Sequence, residues 1–274
     1  AFALSDGGYR LIAFDVSNPK NIIKVGEIVD TTVFDASTMS VNGNYAYIAS
    51  YNSSRLSIVD ISNPTDLRLV SSVQPGGPSG YLYGAGNVAV AGSYAYVTTN
   101  ERNGVTVMDV SDPTNPVYVS DITSTPSLQS ANFIAVSGSH AYVTSNANDS
   151  LAIIDISNPA SLSIDATLRP NEGVGFFEFL AGLEVVGDYA YVISYDSDAL
   201  SVIDVSSSTN PVFVGSAQPG GIDGNLDIPW DIAVSGSYAY VTSNNNDSLV
   251  VFDVGSLEVS NVEAGQIKTD SLEV

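Results

Sequence analysis

Six aspartates close six apolar runs: Asp15, Asp60, Asp109, Asp155, Asp204 and Asp253, at intervals of 45, 49, 46, 49 and 49 residues. Carboxylates can act as a general acid–base pair, as oxygen ligands for a hard cation, or as acceptors of backbone N–H groups in a turn. Catalysis needs an asymmetric pair or triad, and a residue present in every copy supplies no asymmetry. Most of the six precede Val/Ile-Ser and then Asn, Asp or Ser, as in "DISNP" at 60–64 and 155–159. An Asp there is placed to accept N–H bonds from the turn it begins, so the expected role is turn formation.

His140 is the only histidine, and it occupies the slot held elsewhere by Tyr45, Tyr94, Tyr189 and Tyr238. With no cysteine in the chain, a lone imidazole in a tyrosine slot reads as a packed ring, and no His-dependent triad is expected. The loops "NANDS" (146–150), "YDSDA" (195–199) and "NNNDS" (244–248) present oxygens that Ca²⁺ would accept. Asp196 and Asp198 are the weak metal candidates there, with Asp231, and with Asp227 beside it, as a further one. Asn and Asp are equally the ordinary residues of hairpin turns, and no cofactor is expected. Three N-x-S triplets, at Asn52, Asn148 and Asn246, fall in hairpin loops and would carry glycans if the host glycosylates exported chains.

Whatever positions these groups is repetitive. Four residues before each Asp stands Leu11, Leu56, Val105, Leu151, Leu200 or Leu249, and nine residues earlier come Phe2, Tyr47, Tyr96, Tyr142, Tyr191 and Tyr240. Each full unit reads as four strands: an apolar strand, a tight Gly turn into "YAYV", a polar hairpin into "LSIVDIS", then a turn into a last strand such as "PVFVGS". Four-stranded units of about 46 residues predict an all-β, six-bladed β-propeller with four-stranded blades. The repeats span 1–30, 31–78, 79–125, 126–172, 173–220 and 221–267, within one domain.

The first repeat begins at its second strand. The segment 268–274, with Leu272, Glu273 and Val274, matches a first strand and is expected to complete the first blade beside Phe2. It closes its own blade, or is exchanged into a neighbouring copy to build a homopolymer by strand addition.

The units resemble the LVIVD-repeat family and, more loosely, YVTN-type propellers of prokaryotic surface proteins. The matching text is "LSIVDISNP" at 56–64, "LAIIDISNP" at 151–159 and "YAYVTSN" at 238–244. The resemblance implies a propeller, with export or surface display in a prokaryote, and no defined reaction. Repeat six departs from it, with "DVGSLEVSN" in place of the usual turn.

Composition narrows the partners. Eight basic against 30 acidic residues give a formal charge of −22, a field that repels nucleic acid and anionic lipid. No apolar run approaches the length of a membrane span. The chain starts inside a strand, and reads as a mature exported protein whose leader has been removed.

Strand parity puts the hairpins and the interblade links on one face, and this is the variable face. Its links carry Tyr81, Tyr83, Phe176, Phe177, Phe179 and Trp230. These aromatics either seal gaps between blades or form a contact patch for a glycan, a peptide or another copy. In the innermost strands, the slot of Asp231 holds Thr38, Asn87, Phe133 and Gly182, so no carboxylate ring is expected there. The expected function is a non-catalytic extracellular module for structure or interaction, possible as a self-assembling subunit of a surface layer or filament. The alternatives are a cation-dependent, lactonase-like hydrolase and a glycan- or peptide-binding adhesin.

Overall fold

The computed structural model describes residues 1–5, 9–30, 38–75, 80–169, 177–218, 226–245 and 247–255, with the backbone of 264–265. The proposed closing segment 268–274, with Leu272, Glu273 and Val274, lies outside these residues, as do Phe176 and Asn246. The described chain forms two compact units: Ala1–Thr125 with Asn158–Leu162, and Pro126–Ser157 with the chain from Ser163 onward.

Six antiparallel sheets, each built from consecutive strands, are the blades of a β-propeller. The first unit holds β1 (Phe2–Ser5), β2 (Arg10–Asp15) and β3 (Ile23–Val29) as blade one. Blade two is β4 (Thr38–Asn42), β5 (Tyr45–Ser50), β6 (Arg55–Asp60) and β7 (Arg68–Val73). Blade three is β8 (Ala85–Ala91), β9 (Tyr94–Thr99), β10 (Gly104–Asp109) and β11 (Val117–Ile122). In the second unit, blade four is β12 (Ala131–Ser137), β13 (His140–Ser145), β14 (Ser150–Asp155) and β15 (Ser163–Leu168). Blade five is β16 (Leu180–Val186), β17 (Tyr189–Ser194), β18 (Ala199–Asp204) and β19 (Val212–Ala217). Blade six is β20 (Pro229–Ser235), β21 (Tyr238–Ser243), β22 (Ser248–Asp253) and the two-residue β23 (Ala264–Gly265). Among the described residues blade one has three strands, with β1 at its edge. No helix there is long and apolar enough to cross a membrane.

In blades two to five the second and third strands lose the inside/outside alternation of a half-exposed sheet. In β5, β9, β13 and β17 every residue after the first is buried, because apolar and small side chains fill both faces. Seams between neighbouring blades collect these residues. Leu11, Ala13, Ile48 and Val59 share one cluster, Tyr47, Ile58, Leu82 and Val97 a second, and Ile193, Val202, Val241 and Phe252 a third.

Each third strand ends at one of the six aspartates, and all six form the expected turn. The N–H groups of Ser17, Ser62, Ser111, Ser157, Ser206 and Gly255 donate to Oδ1 of the Asp two residues earlier, at 2.8–3.0 Å. The Ser hydroxyls together with these N–H groups stabilise the ionised form and hold the carboxyls of Asp15, Asp60, Asp109, Asp155 and Asp204 below their ordinary range. The turns also lock blade to blade. Ser71 Oγ donates to Pro113 O at 2.7 Å and Ser120 Oγ to Pro159 O at 2.5 Å. In blade one the equivalent residue is Gly26, where a Cβ would lie 2.1 Å from Pro64 O.

Two bulges recur and aim side chains. The inner strand slips against the second over 86–87, over 132–133 and at Trp230, and the N–H groups of Asn87, Phe133 and Asp231 donate to Thr98, Thr144 and Thr242 Oγ1 at 2.8, 3.0 and 3.1 Å. In blade five Ile193 replaces the Thr. The slip there falls at Ala181, and the residue facing Ile193 is Gly182, whose Cβ would meet Ile193 Cδ1 at 2.9 Å. The outer strand slips once in each of blades one to five, leaving Val25, Val70, Val119, Asp165 and Val214 outside the ladder.

Candidate functional site

The hairpin that joins strands two and three carries a residue in the left-handed region: Ser54, Asp149 and Asp198, with φ of 53°, 45° and 48°. Each side chain accepts the N–H of a second left-handed residue, 30 positions on, in the link that leads into the next blade. Ser54 Oγ takes Gly84 N at 3.1 Å, Asp149 Oδ1 takes Phe179 N at 3.0 Å, and Asp198 Oδ1 takes Ile228 N at 2.8 Å. Gly84 meets this geometry without strain, whereas Phe179 (φ 52°) and Ile228 (φ 55°) do not. For a β-branched residue such as Ile228 the conformation costs of order 1–3 kcal/mol. Asp198, a metal candidate on sequence, is thus committed as a clamp.

What the clamps position is aromatic. Phe179 is 47% exposed and Trp230, two residues after Ile228, is 60% exposed. Between them stands half-buried Tyr195. Its ring lies 5.5 Å from Phe179 with planes at 60°, and 6.4 Å from Trp230 with planes at 66°. Tyr195 N donates to Phe179 O at 2.8 Å and Asn244 N to Ile228 O at 3.0 Å, so hairpin and link are tied within each blade. Asp227 is fixed by the same tie: its N–H donates to Ser243 Oγ at 2.8 Å, and its Oδ1 accepts from Asn245 Nδ2 at 3.2 Å.

The remaining link aromatics divide. Phe177 is fully packed in the core with Tyr142, Leu151 and Val192. Tyr81 packs on the core and on Tyr118, with ring centroids 4.7 Å apart, and burial pushes its hydroxyl pKa up. Tyr83 is half-buried. Tyr51, which holds in blade two the slot of Tyr195, donates its hydroxyl to Glu101 Oε1 at 2.5 Å, and its pKa is pushed up to about 12. Of the predicted patch, Phe179 and Trp230 come together through Tyr195, a ring the sequence reading treated only as part of an oxygen-rich loop.

The other polar candidates have partners. Asp196 N donates to Glu178 O at 3.2 Å, and no group of three or more His, Asp or Glu able to hold a metal occurs among the described residues. The Asn148 amide donates to Pro126 O and to Gln129 Oε1. Asn52 lies exposed in its hairpin. Phe2, the anchor proposed for the closing strand, packs on the cluster of Leu11 and Ile48.

His140 is less passive than a packed ring. Its Nε2 meets Asp165 Oδ2 at 3.2 Å, and Ser139 Oγ lies 3.3 Å from Nδ1. Asp165 Oδ2 also accepts from Ser208 Oγ at 2.7 Å, across the seam to blade five. Blades two, three and five carry Val in that bulge and Tyr in the slot of His140, whereas blade four carries Asp and His. That paired exchange was the sequence signal for this contact.

Glu184 was also missed. Its slot on the inner strand holds Ser40, Ala89, Ala135 and Ala233 in other blades. Its Oε2 accepts Val234 N at 2.5 Å, joining blades five and six. Burial raises its pKa and the nearby Asp231 charge raises it further, against the opposing effect of the Val234 bond. Water reaches Asp231, yet protein crowds the carboxyl, and partial loss of hydration raises its pKa too.

The profile of the LVIVD repeat matches residues 35–74, 84–124, 129–167, 181–218 and 228–268, most of the chain. The chain belongs to the LVIVD-repeat family. Among curated proteins nothing matches it. Solved structures share its fold at low identity. A protein from Lactobacillus plantarum is 15% identical with a TM-score of 0.77, over 97% of this chain and 83% of its own. The periplasmic gluconolactonase of Pseudomonas aeruginosa is 15% identical with a TM-score of 0.74, over 97% and 84%. A functionally unknown protein from Desulfotomaculum acetoxidans is 14% identical with a TM-score of 0.73, over 97% and 78%. These likenesses show the LVIVD-repeat chain to be a propeller and leave its chemistry to its own residues.

Two outcomes follow. Glu184 has a raised pKa, so its contribution to stability is full below the unfolded carboxylate range and is lost as pH rises through the folded value. Glu184→Gln keeps the acceptor for Val234 and is expected to raise the melting temperature at pH 7 while leaving it unchanged in acid; melts across that range check it. The pair of exchanges His140→Tyr and Asp165→Val restores the pattern of the other blades. It is expected to be near neutral, whereas Asp165→Val alone destabilises, with a coupling of about 1 kcal/mol in a double-mutant cycle of denaturant unfolding. Additive single effects would show that the pair is not coupled.

Proposed function

We propose that the chain is a non-catalytic interaction module displayed outside a prokaryotic cell, and that it engages its partner with the loop face of blades five and six. The observation that carries this is the row Phe179–Tyr195–Trp230. Two large aromatic side chains, 47% and 60% exposed, are presented to water from clamped links in which Phe179 itself and Ile228, two residues before Trp230, hold backbone conformations that their residue types disfavour. Strain of this kind persists where the surroundings over-determine it, and it gathers at binding sites. Rigid aromatics also bring large contact area at small entropic cost. The repeated aspartates support the same reading, because their turns occupy them structurally.

A finer reading is assembly into a layer or filament, in which a terminal strand of one copy would be added beside β1 of another. A second reading, lactone hydrolysis, draws on Glu184 and Asp231, whose raised pKa values suit proton transfer. It requires Glu184→Gln to abolish any measured turnover.

On a glycan array, Trp230→Ala and Phe179→Ala are expected to weaken binding about tenfold or more while leaving the fold intact. Equal binding by parent and variants would sink the loop-face reading. Removing 268–274 is expected to shift native particles from polymers to monomers in size-exclusion chromatography; an unchanged profile removes the assembly reading. Antibody labelling of intact cells reads the location.

A further inference from the structure

We infer that the aromatic row takes a cationic glycan, an oligomer of amino sugars whose protonated amines meet carboxylates while its ring faces stack on Phe179, Tyr195 and Trp230. The inference rests on the loop-face reading above and names its ligand.

Charge is the first argument. Each ring has a carboxylate as its chain neighbour: Glu178 before Phe179, Asp196 after Tyr195 and Asp231 after Trp230, all three exposed. Asp227 stands in the same link as Trp230. Between Arg169 and Lys268 the sequence holds fourteen Asp and Glu residues and not one Lys, Arg or His. The ion pairs of the described residues all lie before that stretch, at Arg10, Lys24, Arg68, Arg102 and His140. The carboxylates around the row therefore have no basic side chain of blades five and six to neutralise them. A phosphosugar, a uronic acid or nucleic acid would be repelled, and a cation is drawn in.

Ring chemistry is the second. Aromatic faces carry negative quadrupole potential, Trp most of all, and attract an ammonium that carboxylates already favour. Successive planes turn by 60° and 66°, so the row offers several faces in sequence instead of one platform. A glycosidic chain, whose rings turn relative to one another, can use such faces in succession. A lysine-rich peptide brings the same charge on flexible stems and must immobilise them on binding, with no flat apolar face to set against the rings.

Trp230 is the chain's single tryptophan, so its emission reads this site directly. The test titrates the full chain, at mildly acidic pH, with a glucosamine oligomer, with its N-acetylated neutral counterpart and with oligolysine. The glucosamine oligomer is expected to change the emission saturably, about tenfold more tightly than the neutral oligomer. The gain should fall when salt is raised toward about 0.5 M. It should also fall in Asp196→Asn with Asp231→Asn, and binding should be lost in Phe179→Ala, each variant keeping a cooperative melting transition. Equal affinity for the neutral oligomer overturns the cationic class and leaves the loop-face reading standing. Oligolysine binding as tightly, whether or not Phe179 is present, overturns it as unspecific charge attraction. No response to any ligand, in emission or on the array, overturns both.

Discussion

A sheet whose two middle strands are apolar on both faces cannot be left with either face in water. Strands such as Tyr45–Ser50 and Tyr94–Thr99 bury nearly everything they carry, so each blade needs another blade against it. That single constraint accounts for the repetition. It also explains why the buried polar residues of these strands are Ser and Thr: hydroxyls small enough to pack, two of which, Thr98 and Thr144, hold a bulged N–H of the neighbouring strand. Burial supplies the gross stabilisation, and the turns fix how one blade is set against the next, through Pro113, Pro159 and the close approach of Gly26 to Pro64.

The same packing leaves one kind of segment free to vary. Hairpins and links are anchored at a few backbone groups and by single packed side chains such as Phe177 and Leu226, and the residues between those anchors differ from blade to blade. Asp149 and Asp198 show how little is needed: one carboxylate oxygen on one N–H holds the residue just before the next inner strand. Because the anchor acts on the backbone, the link can carry Gly at one blade, Phe at the next and Ile at another. Where Gly84 stands the clamp closes without strain. Where Phe179 stands, the same clamp turns an aromatic side chain outward.

Much of this was legible in the sequence. Strand ends at the six aspartates could be read because an Asp turn is local, with donor and acceptor two residues apart. Six sheets could be counted because the period never slips. The outer-strand Asp165 and the inner-strand Glu184 broke columns of Val and of small residues, but a break in a column does not say what faces it across a seam. The aromatics were harder still. Phe177 and Phe179 are two residues apart and identical in type, yet one is in the core and the other in water. The difference lies in a positive φ imposed by Asp149, thirty residues away, which no local pattern encodes. Asp198 likewise reads as an oxygen ligand until its partner N–H is known.

Charge and architecture meet in blades five and six. A region with no basic side chain cannot stabilise its carboxylates by ion pairs, so they must accept hydrogen bonds or remain hydrated. The seam uses the first course: Asp149, Asp198 and Glu184 each accept a backbone N–H from the following blade. Such charge-assisted bonds are short-range and bear on the backbone, so screening by salt weakens them far less than it weakens an exposed ion pair. The same choice leaves the outward carboxylates uncompensated. A protein that holds its blades together without cations keeps its negative surface intact, and whatever settles on that surface must bring the positive charge.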